Sequence, residues 1–249
     1  MAAFTLTDTS VYAGALDASC FGNTVSLDQM VDTVDATTFC SAGWKQPIAS
    51  LKGWSAQLQG PQDLAISTAA TTYGPDEYYA LNVGTVYPLS FVPSGAAERG
   101  IAYFGQGMLA EYSPVRGAIG DLAEHTSQWT IASDRLVRGV FATKVTTSTP
   151  GTAYGTSHNL GAVSATQKVY AAIHVLTRGG TGTLSVELIS DDNSGFTSPT
   201  TRTTFTAVSS RTAEFKSVAG AITDTWWGLS LTVGGGSPSF QVRGFIGIQ

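Results

Sequence analysis

Nowhere in this chain of 249 residues do Lys and Arg cluster, and its first 44 residues contain neither. With a formal net charge of -5 it lacks the basic patch that grips phosphates by counterion release, which argues against nucleic-acid binding as its task. Charge of either sign is scarce, 12% against the ~25% usual in soluble domains. No apolar run approaches the ~18 residues that suggest a membrane span. The N-terminus carries Asp8 and Asp17 and has no basic region followed by an apolar stretch, so it does not read as a secretory signal. The expectation is a chain that folds in a cytoplasm, with Cys20 and Cys40 as reduced thiols; two cysteines cannot make a disulfide framework.

What fills the space instead is Thr (33), Ser (25) and Gly (28) among 43% hydrophobic residues. β-branched Thr with few Lys and Glu favours strands joined by Gly-rich turns, so the chain is expected to be all-β. In 54–59, Trp54, Ala56 and Leu58 fall on one face of a half-buried strand ended by Gly60-Pro61. Residues 77–93, 101–109 and 138–145 are strand-like, and 23–39 are ambiguous between strand and short helix. A short helix is expected within 61–71, after Pro61. Residues 146–157 are mostly Thr, Ser, Gly and Pro with one Tyr, lack periodicity and read as a linker, giving a first β unit over 1–145 and a second over 158–249. In that second unit, 168–176 is apolar on both faces, as in a central strand. Strands at 184–189, 203–208, 227–233 and 239–248 complete a β-sandwich resembling a jelly roll.

Chemistry is hard to find. A Ser-His-Asp site would need His125, His158 or His174, yet no Gly-x-Ser-x-Gly elbow is present. His174 lies inside an apolar strand and reads as a core histidine; His125 and His158 read as solvated. The cysteines, 20 residues apart without a nearby His, do not have zinc spacing. The Asp191 to Gly195 cluster lacks the distal acid of an EF-hand and reads as an Asx turn. Gly105-Gln106-Gly107 lacks a third glycine and a helix. No catalytic residue, metal ligand or cofactor is assigned, and the chain reads as not an enzyme. Adjacent Trp226 and Trp227 must point to opposite faces of a strand; Leu229, Leu231 and Val233 share the parity of Trp227, which places Trp227 inward and leaves Trp226 for a subunit or domain contact.

One stretch is more specific. Val34-Asp35-Ala36-Thr37-Thr38-Phe39, then Gly43-Trp44-Lys45, then Leu51-Lys52-Gly53-Trp54 leading into the strand that ends at Gly60, resembles the tail tube (major tail) proteins of long-tailed bacteriophages. A looser match continues through Leu136-Val137-Arg138-Gly139 and through 220–227. Ser50 and Cys40 depart from the family pattern.

The resemblance implies a tail-tube-like β-sandwich or barrel unit in a structural virion protein, assembled in the host bacterial cytoplasm. Its partners would be copies of itself in stacked hexameric rings, together with other virion structural proteins. Asp35, Thr37, Thr38, Phe39, Gly43, Trp44, Lys45 and Leu51 are then candidates for inter-subunit contact. Residues 1–140 hold 13 acids and 6 bases. That excess suits a lumen along which DNA slides without specific binding, with Asp17, Asp28, Asp32 and Asp35 as lumen-facing candidates. A capsid decoration protein is the alternative within virions, and a glycan-binding adhesion module the alternative outside that class.

Overall fold

Thr, Val and aromatic residues at alternating positions, punctuated by glycine, drive most of the chain into antiparallel strands. The computed structural model describes residues 6, 8–38, 40, 44–63, 74–95, 97–132, 134–147, 149–236 and 238–249. The N-terminal elements are β1 (Ser10–Ala13), β2 (Leu16–Asp17), β3 (Thr24–Asp35), β4 (Pro47–Pro61), α1 (Pro75–Asn82), β5 (Val86–Val92), β6 (Ile101–Arg116), β7 (Glu124–Ile131) and β8 (Val137–Thr147). They are followed by β9 (Gly151–Tyr154), β10 (His158–Asn159), β11 (Lys168–Gly179), β12 (Thr183–Asp191), β13 (Thr200–Thr204), β14 (Thr212–Ala219), β15 (Trp226–Gly234) and β16 (Ser239–Ile248).

The larger sheet runs β14-β11-β16-β8-β6-β5-β1-β2, and β6 also pairs β7, β7 pairs β4, and β4 pairs β3. The smaller sheet runs β10-β15-β12-β13, with β9 also on β15. Pairing of β16 with β8, from Phe240↔Thr147 to Ile246↔Val140, joins residues from both sides of the expected boundary in one sheet. The expected linker at 146–157 is likewise built in: its start ends β8, and β9 pairs β15 from Gly151↔Val233 to Tyr154↔Ser230. Its lack of periodicity has a physical cause, since β9 is an edge strand exposed on both faces and has no core to pattern it.

Three layers of core explain why β11 is apolar on both faces. Val169, Ala171, Ile173 and Val175 pack against Leu184, Val186, Trp227 and Leu229 of the smaller sheet. On the opposite face, Tyr170, Ala172 and Leu176 pack with Phe104, Phe141 and Tyr12 of the N-terminal strands. A further core joins Trp54, Ala56 and Leu58 to Leu89, Trp129 and Tyr79. His174 fastens these layers: its Nδ1 donates to the Gly14 carbonyl at 2.7 Å, and Nε2 accepts from the Ser90 hydroxyl at 2.8 Å. Arg211 donates to the Ala15 carbonyl from the C-terminal side at 2.8 Å. Residues 158–249 expressed alone are therefore expected to lack a cooperative thermal transition, because one face of β11 and β16 loses its cover; a sharp transition with dispersed amide resonances would contradict this.

The helix is elsewhere than expected. Pro61 ends β4, residues 64–71 lie outside the described residues, and α1 occupies 75–82, where Tyr78 to Leu81 read as strand. Pro75 and the acidic first turn of Asp76 and Glu77 suit a helix N-terminus. The apolar pattern hides it, since Tyr78 and Tyr79 are buried while Leu81 faces solvent. Two histidines also differ from expectation. His125 and His158 are buried: on β7 and β10 they face packed layers, where their rings bond the carbonyls of Pro61 (3.2 Å) and Ala142 (3.0 Å). The Asp191 turn is as read, its carboxylate accepting from the amides of Asp192 and Ser198 at 2.7 and 3.0 Å.

Candidate functional site

Beyond Trp54, β3 and β4 leave the body of the protein and continue as a two-stranded ribbon. Its register runs from Gln29↔Trp54 to Asp35↔Pro47, with an irregularity between Val31 and Thr33. The root is anchored: Trp54 Nε1 donates to the Asp134 carbonyl at 3.1 Å, and Gln29 Nε2 to the Leu136 carbonyl at 3.4 Å. Val25 and Leu27 turn toward the core that holds Ala56 and Leu58. From Asp28 outward on β3, and from 47 to 52 on β4, both faces of the ribbon are exposed. Among the described residues β3 pairs only β4, and β4 meets β7 only from Ser55 onward, so no other described strand covers either edge of the ribbon.

The arm is apolar where a solvated hairpin would be polar. Trp44 is 79% exposed and Leu51 73%, and Met30, Val34 and Ile48 are more than half exposed. A lone two-stranded ribbon is marginal in water, and open edges bearing apolar side chains are a template for pairing with another chain. Its tip nevertheless has a defined turn. The Asp35 carboxylate accepts from the Thr37 amide at 2.8 Å and from the Thr37 hydroxyl, and that hydroxyl accepts from the Gln46 amide at 2.9 Å. These bonds hold the Asp35 carboxyl below its ordinary pKa. The Asp and first Thr of the motif thus close the arm, a task that spacing alone does not reveal.

The candidate contact residues Asp35, Thr37, Thr38, Trp44, Lys45 and Leu51 are all exposed and lie together on this arm; Phe39 and Gly43 lie outside the described residues. Trp226 is elsewhere, half-buried on β15 between Asn159 and Asp191 of the neighbouring strands. Of the acidic candidates, Asp28, Asp32 and Asp35 are exposed on β3. Asp17 is apart from them on β2, half-buried, its carboxylate accepting from the Ser19 hydroxyl at 2.6 Å. Among the described residues none of the four forms an ion pair with Arg135 or Arg138. A second exposed apolar group, missed by the sequence reading, sits around the β6–β7 turn: Val115, Ile119 and Leu122.

Among the described residues enzyme-like geometry occurs once, in the Ser90–His174 hydrogen bond, but both residues have no accessible surface. Burial strips the imidazolium of its solvation and pushes the His174 pKa down to about 4, leaving a neutral ring with a structural role. A cavity of about 380 Å³ at the root of the arm is lined by residues such as Val25, Leu27, Phe91 and Tyr103, with no charged residue among them. Cys20 and Cys40 are free and exposed.

No protein-family model matches the chain, and no curated protein is significantly similar to it. Among solved structures it is similar to a chain in the virion of a native gene transfer agent particle, at 16% identity over 56% of this chain and 100% of that one, TM-score 0.42. It is also similar to the Dit protein of SPP1, described with the hub adsorption apparatus of phages infecting Gram-positive hosts (10% identity, 97% and 99% covered, TM-score 0.31). A third similarity is to VP2 of the infectious bursal disease virus subviral particle (14% identity, 97% and 70% covered, TM-score 0.30).

Proposed function

We propose that this chain is a structural virion protein of a bacteriophage, building with copies of itself the stacked hexameric rings of a tail tube through which DNA passes. The observation that carries the reading is the arm: a ribbon with two open edges and exposed Trp44, Ile48 and Leu51, whose tip coincides with the segment that resembles tail tube proteins. Docking on a neighbouring subunit covers both the edges and the apolar side chains, which a monomer leaves in water. Asp28, Asp32 and Asp35, exposed on β3, are the carboxylates available to line the channel, while Asp17 is engaged by Ser19. Their repulsion of DNA is softened by salt over a Debye length of ~8 Å at physiological ionic strength.

The test replaces residues 36–46 by an Asn-Gly turn, which can bridge the paired Asp35 and Pro47. The shortened protein should keep a cooperative melt and sediment as a monomer, while the full chain forms tubes in negatively stained micrographs. Tubes from the shortened chain would overturn the arm's role. A full chain that forms no tubes but decorates capsids as knobs would replace the tail tube by the decoration protein.

A further inference from the structure

His125, Ser127 and Trp129 alternate along β7 and so share one of its faces. Tyr79 of α1 covers that face. Its ring centroid lies 6.0 Å from that of His125 and 5.8 Å from that of Trp129, and its hydroxyl is close to that of Ser127. Tyr112 of β6, opposite Ser127 in the register, closes the side, with ring centroids 5.4 Å from Tyr79 and 6.3 Å from His125. Tyr79, His125 and Ser127 have no accessible surface.

Three polar atoms in this enclosure have no hydrogen-bond partner among the described residues: the Tyr79 hydroxyl, the Ser127 hydroxyl and His125 Nε2. The two hydroxyls are neighbours outside hydrogen-bond geometry. What the imidazole offers is fixed by its other nitrogen. Nδ1 lies 3.2 Å from the Pro61 carbonyl, which can only accept, so Nδ1 carries the proton and Nε2 is a bare acceptor. Burial keeps the ring neutral: desolvation pulls its pKa down, against the Pro61 carbonyl and the Asp76 and Glu124 charges that pull it up. The surrounding donors are already engaged. The Tyr112 hydroxyl donates to Asp76 at 2.7 Å, Gln62 Nε2 to Asp76 at 2.9 Å, and Trp129 Nε1 to the Tyr87 hydroxyl at 2.8 Å.

We infer that one buried water joins α1 to β7 at this point, donating to His125 Nε2 and to the Ser127 hydroxyl and accepting from the Tyr79 hydroxyl. A single water has the donors and the lone pair this needs, and about three bonds is the usual number for a water inside a protein. Polar groups left unpaired at such depth would carry their full desolvation cost. A neutral imidazole and two hydroxyls bring no charge to hold a metal ion, and among the described residues no group of three His, Cys, Asp or Glu side chains could hold one. The water is the polar link between helix and β7, since the other side-chain bonds of Asp76 and Tyr78 run to Tyr112, Gln62 and the Ala15 amide. It lies inside one copy and is independent of the assembly reading.

A crystal structure of the full chain, at a resolution that shows ordered water, tests this on the wild-type protein. The expected result is a single peak within hydrogen-bond distance of Tyr79 Oη, Ser127 Oγ and His125 Nε2. No peak there, with the Tyr79 hydroxyl bonded directly to Nε2 or to Ser127, would overturn the inference, as would a peak at metal-ligand distances. Magnetic relaxation dispersion of water, which counts the molecules a protein holds for long, gives a second reading in solution. Ser127→Val puts a methyl group in place of the hydroxyl and should hold one long-lived water fewer than wild type, and His125→Phe should show the same drop. Equal counts in wild type and in a variant that keeps a cooperative melt would also overturn it; if neither variant folds, the wild-type crystal structure decides.

Discussion

Trp227→Ala is expected to lower the unfolding free energy of the full chain by about 3–5 kcal/mol, the usual cost of deleting a large aromatic side chain from a packed core. Trp227 has no accessible surface; its ring packs with Leu229, Leu231 and Val233 between the two sheets, and its Nε1 donates to the Gly161 carbonyl at 2.9 Å. Truncation leaves a cavity and an unpaired carbonyl at once. Trp226, one residue earlier, points to the outer face and stays half-exposed, so Trp226→Ala should cost less than about 1 kcal/mol. Urea titrations of the two variants read the difference as a shift in midpoint at constant slope. Equal losses, or a larger loss for Trp226→Ala, would reverse the assignment of faces.

Acid should weaken the fold through His174. Its ring is neutral in the folded state, with a pKa near 4, against about 6.5 when unfolded. Between those values the unfolded chain binds the extra proton, so stability falls as pH falls. The contribution is complete above about pH 6.5 and gone below about pH 4, and a shift of this size corresponds to about 3 kcal/mol. His125 and His158, whose pKa values burial also lowers, act in the same direction. Unfolding free energies measured at pH 7.5, 5.5 and 4 should fall more steeply for wild type than for His174→Gln, which has no proton to gain. At pH 7.5 the variant should itself be the less stable, because the Ser90 hydroxyl and Gly14 carbonyl lose their shared partner. Parallel pH profiles for the two proteins would show that His174 binds its proton equally well folded and unfolded, and would overturn the lowered pKa.

Much of the fold is legible in local pattern. Alternation placed Trp54, Ala56 and Leu58 on one buried face, and the double-sided apolar run at 168–176 marked a strand with a core on each side. Parity of the C-terminal tryptophans separated an inward from an outward ring. Such readings succeed because side chains alternate with period two, and burial of one face dictates which residues occupy it. The helix at 75–82 escaped because its buried tyrosines are adjacent and its one leucine is exposed, so it carries no periodic apolar face. The motif around Asp35 was visible as a string of residues, and its chemistry, a carboxylate closing a hairpin turn onto Thr37, appeared only with the backbone in place.

By itself, then, the sequence determined the all-β class, the identity of most strands, the polarity of their faces and the arm as the segment to watch. Only the tertiary structure decided that β16 pairs β8 across the expected linker, that His125 and His158 are buried, and that the arm and the β6–β7 turn project from opposite ends of one sheet. The reason is physical. Periodicity reports whether a face is buried, a property of each strand alone, whereas which strands pair, and what lies beyond their ends, is fixed by hydrogen bonds between residues about a hundred positions apart that leave no local trace.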